Sequence, residues 1–291
     1  MKPQPTVARD WHLHTHLSDG FASPSEVLGE AARLGLRQIS ITDHDCLDVH
    51  RDVRLRHQAA SLGIDLVPGV EIDCSLGDLQ IEILGYRFTP EDRGLIERLE
   101  RVQIARRERI RALADRFQAA GEPIDADEIY PPATVSPLKV HLYRALAKAG
   151  RVYPGGYAEF KAHLATLGAT PPLPVPTAAE AVERVRAAGG FAVIAHPLYY
   201  LRDLTAEELM RSARAVGCEG IELAYPYDYG AQGLPSAQVR TGVQRLKAGL
   251  RVSFPSGGRV TRGSDMHDLA EWPARLACVA GWERDADSAG R

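Results

Sequence analysis

Two histidines near the start of the chain, His12 and His14, are separated by one residue and end the strand-like run TVARDWHLH. Alternate side chains of an extended strand point to the same side, so both imidazoles can reach one ion. Imidazole nitrogen is a common ligand of divalent transition metals. Histidine pairs of this kind also occur on ordinary exposed strands, so the pair indicates a metal site only if other ligands accompany it.

Further histidines and carboxylates follow other strand-like runs. RQISIT, LVPGV, FAVIA and TRGS lead in turn to Asp43-His44, Glu71, His196 and Asp265-Met266-His267. We expect each group at the carboxyl end of a strand, and in an α/β barrel these ends converge on one mouth. Carboxylates this close together at the barrel mouth would repel each other, and buried imidazoles and carboxylates would lack partners, unless bound cations neutralised them. The pattern predicts a metal centre rather than separate polar residues on unrelated loops.

Strand-like and helical stretches alternate along the chain, which indicates an α/β fold with a largely parallel sheet. Capping boxes at Ser23, Thr177 and Thr205 predict helix starts. The predicted strands lie within TVARDWHLH, RQISIT, IDLVPGVEI, LQIEILGY, FAVIAH, GIELA and LRVSF.

Between residues 90 and 176 the strand signal disappears. A long charged helix is predicted from about Glu91 to Ala120 and a shorter one from about Lys139 to Ala149. We therefore predict a discontinuous barrel domain, residues 7–89 and 177–283, with a helical insertion subdomain at residues 90–176. The length of 291 residues suits one such barrel with an insertion.

The amino-acid composition disfavours several classes of protein. The hydrophobic share of 45% and the charged share of 25% are those of a globular protein. A net charge of −3 argues against stable binding of duplex nucleic acid, although it is compatible with a short oligonucleotide held by metals.

The sequence has neither a signal-peptide pattern nor an apolar run of about 18 residues, so we expect a cytoplasmic protein with no membrane partner. The four cysteines show no CxxC spacing, which disfavours a zinc knuckle or a disulfide framework.

Six motifs in order resemble the polymerase and histidinol phosphatase (PHP) superfamily: DWHLHTHLSDG, ITDHD, VPGVEI, ILGY, VIAHP and GSDMH, between residues 10 and 268. The SDG after the histidine pair and the helical insertion are most similar to the branch of nucleoside 3′,5′-bisphosphate phosphatases and 5′-3′ exoribonucleases. The resemblance implies a distorted (β/α)7 TIM-like barrel. It also implies two or three divalent ions, for which a mixed nitrogen and oxygen ligand set favours Mn²⁺, Fe²⁺ or Zn²⁺.

Carried over by motif, the resemblance implies three groups of ligands. The first ion would take His12, His14, Glu71 and Asp265; the second would share Glu71 and take His196; the third would take Asp19, His44 and His267. Relatives supply a further histidine to the second ion just before ILGY, where this chain has Glu82. Glutamate can bind the same ion through oxygen and shift its preference toward manganese, or it can leave that ion weakly bound.

The insertion differs from the family pattern as well. Relatives carry an Arg-Thr-His motif near the phosphate, and the matching segment here is Lys139-Val140-His141. The resemblance implies that His141, Lys139 and Arg144 contact the substrate, and the alternative is an ordinary amphipathic helix with a basic edge. His196 and Asp265 are the expected catalytic residues, with His141 as a candidate proton donor to the leaving group.

The expected chemistry is hydrolysis of a phosphate ester. Bound divalent ions lower the pKa of a water toward about 7, which provides a metal-bound hydroxide to attack phosphorus. The expected substrate is a phosphomonoester or short oligonucleotide, such as a nucleoside 3′,5′-bisphosphate. Alternatives are a phosphatase or cyclic phosphodiesterase for another small metabolite, such as histidinol phosphate, and a non-catalytic metal-binding domain. An amidohydrolase is disfavoured because no strand end carries the lysine that such enzymes usually carbamylate.

Overall fold

The computed structural model describes residues 9–122, 124–230 and 233–288. The chain has a mixed α/β fold in which the described strands form two sheets. One sheet has the order β1 (Arg9–Leu13), β2 (Gln38–Ile41) and β3 (Asp65–Leu66), all parallel. The other has the order β4 (Gly69–Leu76), β5 (Leu79–Tyr86), β6 (Phe191–Ile194), β7 (Gly220–Ala224) and β8 (Arg259–Arg262).

Isolated parallel bridges join the two sheets. Leu13, at the end of β1, pairs with Met266, and His44, after β2, pairs with Glu71 of β4. The backbone N–H of His14 also donates to the carbonyl of Met266 at 2.9 Å. The segments that carry the predicted ligands are therefore neighbours where the sheets meet. Closure into a seven-stranded barrel stays a prediction.

Strand β5 departs from the parallel pattern because it pairs antiparallel with both β4 and β6. Only Gly77 and Asp78 separate β4 from β5, and a connection this short can join only antiparallel strands. Gly77 has φ +61°, the left-handed conformation that such a turn requires. The remaining ladders, β6–β7 and β7–β8, are parallel as predicted.

Helices cover the sheets, and each of the three predicted capping boxes is present, at Ser23, Thr177 and Thr205. Short 3₁₀ helices span Ala126–Glu128 and Pro197–Arg202. The α-helices are α1 (Pro24–Arg33), α2 (Asp48–Arg51), α3 (Val53–Ser61), α4 (Arg93–Ala119), α5 (Lys139–Lys148), α6 (Gly156–Thr166), α7 (Ala178–Ala187), α8 (Ala206–Ala215), α9 (Ser236–Ser253) and α10 (Trp272–Ser288).

One predicted strand is wrong. The run LRVSF, residues 250–254, belongs almost entirely to α9. Val239, Val243, Leu246 and Leu250 are buried at intervals of three and four residues, which is the period of a helix. The apolar run is therefore the last turn of an amphipathic helix rather than a buried strand.

The long helix α4 packs into two apolar cores. Leu95 and Leu99, in its first half, join the core that covers the larger sheet. Leu113 and Phe117, in its second half, pack with Phe160 and other side chains of α5 and α6. Between residues 90 and 176 the described residues form helices and loops without a strand, as the sequence indicated. The boundaries of an insertion subdomain stay a prediction.

The described helices include none that is both long and apolar enough to cross a membrane. All four cysteines are free thiols, and Cys46, Cys74 and Cys218 are buried.

Asp10 connects β1 to the segment after β8. Its buried carboxylate accepts hydrogen bonds from the Ser264 backbone N–H at 2.9 Å and from Trp272 Nε1 at 2.7 Å. We predict that Asp10→Ala lowers the free energy of unfolding by about 3 kcal/mol, because these two donors, the Ser264 hydroxyl and the His12 backbone N–H all lose their acceptor. Urea unfolding of the variant checks this. The exposed Asp48→Ala should change stability by less than about 0.5 kcal/mol, and equal effects of the two substitutions would contradict this role for Asp10.

Candidate metal centre

The nine predicted ligand residues come together where the two sheets meet, and the Glu71 carboxylate lies among their imidazoles. Glu71 Oε2 lies 3.2 Å from His12 Nε2 and 3.2 Å from His14 Nε2. Glu71 Oε1 lies 3.1 Å from His196 Nε2. The complete set is His12, His14, Asp19, His44, Glu71, Glu82, His196, Asp265 and His267.

Glu71 does not follow a strand end, so that part of the prediction is wrong. Glu71 is the third residue of β4. Glu82 lies within β5, inside the predicted strand LQIEILGY. The run IDLVPGVEI is not one strand, because Val67 and Pro68 separate the short β3 from β4. Glu71 is thus placed near the beginning of a strand, opposite the bridge from His44.

The first group consists of His12, His14 and Asp265 together with Glu71. Asp265 Oδ1 lies 3.4 Å from His12 Nε2 and 3.1 Å from His14 Nε2. Two ligand atoms that each lie about 2.1 Å from one ion, at angles of about 90 to 110°, are about 3.0 to 3.4 Å apart. The buried His14 Nε2 also makes no well-aligned hydrogen bond to these carboxylates or to any other described residue. The spacing and the lack of an aligned partner among the described residues both fit a divalent ion.

The second group combines Glu71, Glu82 and His196. His196 Nε2 lies 3.1 Å from Glu71 Oε1 and 3.1 Å from Glu82 Oε2. The Glu82 side chain is 32% exposed, whereas that of Glu71 is buried. An oxygen of Glu82 therefore reaches the imidazole of this group, but from the more open side.

The third group consists of Asp19, His44 and His267, with His14 beside them. One ligand atom from each of these four side chains lies within 4.8 Å of the others. Asp19 Oδ2 lies 3.3 Å from His267 Nε2, and Asp19 Oδ1 lies 3.5 Å from His14 Nδ1. His14 thus stands between the first and third groups.

Burial and charge shift the pKa values of these groups strongly. Burial alone would lower the pKa of His14, but the carboxylates of Asp265 and Glu71 raise it to about 9. Burial also opposes protonation of His196, and Glu71 and Glu82 raise its pKa to about 10. Burial would raise the pKa of Glu71, but His12 and His44 hold it well below its usual value. The centre therefore attracts cations, whether protons or metal ions.

Backbone strain is concentrated around this centre. Asp45, His196 and Asp265 have φ values of +50°, +27° and +50°, in the left-handed region that L-residues rarely adopt. Gly263 leaves room for a close contact, because a Cβ there would lie 2.1 Å from the Cβ of His12. Such strain persists only where surrounding contacts hold it, and it is common at functional sites.

Sequence reasoning missed two residues that hold the ligands. Glu222, fully buried on β7, lies 3.0 Å from His12 Nδ1 through Oε1 and accepts the His196 backbone N–H at 2.9 Å through Oε2. The Tyr225 hydroxyl donates to Asp265 Oδ2 at 2.6 Å. Partners of this kind orient metal-binding side chains. The sequence does contain one indication of this role. Glu222 lies inside the apolar run GIELA, and a charged side chain in a buried strand needs a partner.

Two of the predicted substrate residues line a cleft of about 680 Å³ beside Asp19 and His267. Lys139 and Arg144 belong to this cleft, and Arg109 of α4 adds a positive charge that the sequence did not single out. Arg106 and Asp73 also line the cleft, where they form an ion pair.

His141 is not among the residues that line the cleft. It is buried, and its Nδ1 accepts the backbone N–H of Leu138 at 3.0 Å, which caps the start of α5. Burial lowers the pKa of His141. Its role in catalysis stays a prediction.

A buried cluster of imidazoles and carboxylates on a mixed α/β fold is the arrangement expected of a metal-binding protein. Residues 10–121 match the PHP domain. The chain is 30% identical over 224 residues to a 5′-3′ exoribonuclease of Haemophilus influenzae, covering 75% of this chain and 80% of that protein. It is 31% identical over 226 residues to a 3′,5′-nucleoside bisphosphate phosphatase of Chromobacterium violaceum, covering 74% and 76%.

A solved structure from Bifidobacterium adolescentis, assigned as a metal-dependent phosphoesterase, superposes with a TM-score of 0.72 at 26% identity, covering 91% of this chain and 89% of that one. The chain belongs to the PHP family. It is accordingly a metal-binding hydrolase of phosphoric ester bonds, as the motifs indicated.

The raised pKa values of the histidines predict that metal binding releases protons. With pKa values of about 9 and about 10, His14 and His196 carry protons at pH 7 before an ion binds. A ligating imidazole must be neutral, so Mn²⁺ binding at pH 7 should expel protons and its affinity should rise between about pH 7 and 9. Calorimetric titrations in two buffers with different ionisation enthalpies measure the release. An affinity that does not change with pH over this range would contradict the prediction.

Proposed function

We propose that this chain hydrolyses a phosphate ester of a substrate that carries a second phosphate, such as a nucleoside 3′,5′-bisphosphate or a short RNA. The observation that carries the proposal is the cationic cleft beside the metal centre. Arg106, Arg109, Lys139 and Arg144 line one cavity together with Asp19 and His267. A scissile phosphate at the ions would therefore have a surface for further anionic groups within reach.

The charges of this cleft are incompletely paired. Arg109 Nε is buried and makes no hydrogen bond to the described residues. Burial lowers the pKa of Arg109, and the neighbouring Arg106 lowers it further. Burial likewise lowers the pKa of Lys139, with Arg109 and Lys161 adding to the effect. Both cations would be stabilised by an anion, and a guanidinium can form two hydrogen bonds to one phosphate.

This charge pattern separates the possible substrates. Histidinol phosphate carries a cationic amine away from its phosphate, and positive side chains in the cleft would repel that amine. A nucleoside bisphosphate or an RNA instead carries a second phosphate there. The activities named for the two relatives, on nucleoside bisphosphates and on RNA, support the same choice.

We propose the three ligand groups as the sites of two or three divalent ions, Mn²⁺, Fe²⁺ or Zn²⁺. When bound, such ions polarise phosphoryl oxygens and lower the pKa of water. Glu222 engages His12 through Nδ1, which leaves Nε2 for an ion. Tyr225 occupies Asp265 Oδ2 and leaves Oδ1 for the first group. The carboxylate of Glu82 in the second group favours a hard ion such as Mn²⁺ there.

The test of this function is an assay of hydrolysis with added Mn²⁺, in which chromatography measures the loss of each substrate and the formation of its dephosphorylated or mononucleotide product. The substrates are adenosine 3′,5′-bisphosphate, a short 5′-phosphorylated RNA, histidinol phosphate and a cyclic nucleotide. We expect the bisphosphate or the RNA to be turned over fastest. His12→Ala should reduce this activity at least about 100-fold, because the first ion loses a ligand.

The exposed His57→Ala is the matched control and should keep full activity. A higher kcat/KM for histidinol phosphate would contradict the proposed substrate class. Near-normal turnover by a well-folded His12→Ala variant would contradict the proposed site.

Arg109 tests the cleft itself. We predict that Arg109→Met raises KM for adenosine 3′,5′-bisphosphate about 10- to 100-fold, the loss expected for a hydrogen bond to a charged group. The KM for p-nitrophenyl phosphate, which has no second phosphate, should change little. Arg107→Met, on the exposed side of α4, is the control. Equal effects of Arg109→Met on both substrates would show that Arg109 does not bind the second phosphate.

A further inference from the structure

Helix α4 presents two buried polar side chains to the residues around His44. Gln103 Nε2 donates to the carbonyl of Asp45 at 2.7 Å. Arg106 Nη2 lies 2.7 Å from Asp45 Oδ2 and 2.7 Å from Asp73 Oδ2. The guanidinium therefore joins α4 to both the loop after β2 and strand β4.

The second oxygen of Asp73 faces His44. Asp73 Oδ1 lies 3.4 Å from His44 Nδ1. Both atoms are buried, and neither forms a well-aligned hydrogen bond to any described residue. Asp73 is thus placed between two partners, with Arg106 on one oxygen and the imidazole of His44 on the other.

This contact determines which nitrogen of His44 is available to an ion. Nδ1 faces Asp73, whereas Nε2 lies 3.5 Å from Glu71 Oε2, at the centre of the ligand cluster. A histidine that binds a metal through one nitrogen usually donates the proton of the other to a carboxylate or carbonyl, which fixes its tautomer and orientation. Asp73 is the carboxylate in that position.

We propose that Asp73, held by Arg106, is the positioning residue of His44 and that the contact between Asp73 and His44 supports occupancy of the third ion. The inference rests on the ligand groups of the proposed function. Arg106 is needed because the buried carboxylate of Asp45 and the partly buried carboxylate of Asp73 share its guanidinium. Without that cation the two carboxylates would repel each other, and Asp73 would not be held against His44.

Asp73→Asn tests the contact with little change in volume. A guanidinium can only donate hydrogen bonds, so the amide oxygen should turn toward Arg106 and the amide NH₂ toward His44. The amide N–H and a proton on His44 Nδ1 would then face each other, so the imidazole should carry its proton on Nε2 instead. A protonated Nε2 has no lone pair with which to bind the ion. We expect one of the three Mn²⁺ ions to bind about 10- to 100-fold less tightly, with the other two unchanged.

The measurement is calorimetric titration with Mn²⁺ together with elemental analysis after dialysis, which counts ions without an activity assay. Asp45→Asn is the matched control, because Asp45 contacts the same guanidinium but does not face His44 Nδ1. Asparagine also tolerates the left-handed backbone at Asp45. This variant should keep all three ions, and His44→Ala should lose one. Thermal unfolding of each variant verifies that it is folded.

The outcomes separate this inference from the proposed function. If His44→Ala loses an ion while Asp73→Asn binds Mn²⁺ like the wild type, the role of Asp73 is refuted and the ligand groups stand. If Asp45→Asn loses the same ion as Asp73→Asn, docking of α4 acts without the Asp73–His44 contact, and the positioning role is again refuted. If the wild type takes up only two ions, or His44→Ala keeps three, the third ligand group itself is wrong.

Discussion

The carboxylate of Glu71 is the contact on which the rest of the site depends. Its two oxygens lie within 3.5 Å of nitrogens of His12, His14, His44 and His196, which come from segments after or within three different strands. A buried carboxylate is costly unless cationic or hydrogen-bonding groups surround it. The convergence of β1, β2 and β6 on β4 therefore provides partners for the buried Glu71 carboxylate as well as an apolar core. The same geometry suits metal ions bridged by that carboxylate.

Around this contact, further buried side chains hold the ligands in place. Glu222 engages His12 and the backbone of His196, and Tyr225 engages Asp265. The left-handed backbone of His196 and Asp265 is sustained within these contacts. Contacts of this kind would hold the predicted ligand atoms close together before an ion arrives, so less ordering would be required on binding.

Helix α4 connects the candidate metal centre to the cleft that Arg109 lines. Gln103, Arg106 and Arg109 follow one another at three-residue intervals, and such residues lie on one face of a helix. The first two contact the loop and strand around His44, and the third lines the cationic cleft. One helical face thus adjoins both the ligand groups and the surface proposed for the second phosphate. A change in the position of α4 would affect both together.

The sequence by itself predicted the capping boxes and most strands from residue type and local spacing, and its motifs singled out the nine histidines and carboxylates that the fold brings together. The prediction of a strand at LRVSF was wrong. Its apolar residues alone are compatible with a strand, but together with the buried residues of α9 they follow the period of a helix. Only the tertiary structure decided that Glu222 engages His12, 210 residues away, and that Arg109 faces the cleft. Contacts of this kind produce no periodic pattern in the sequence, because the partner of a buried charge is a distant side chain that only the fold brings close to it.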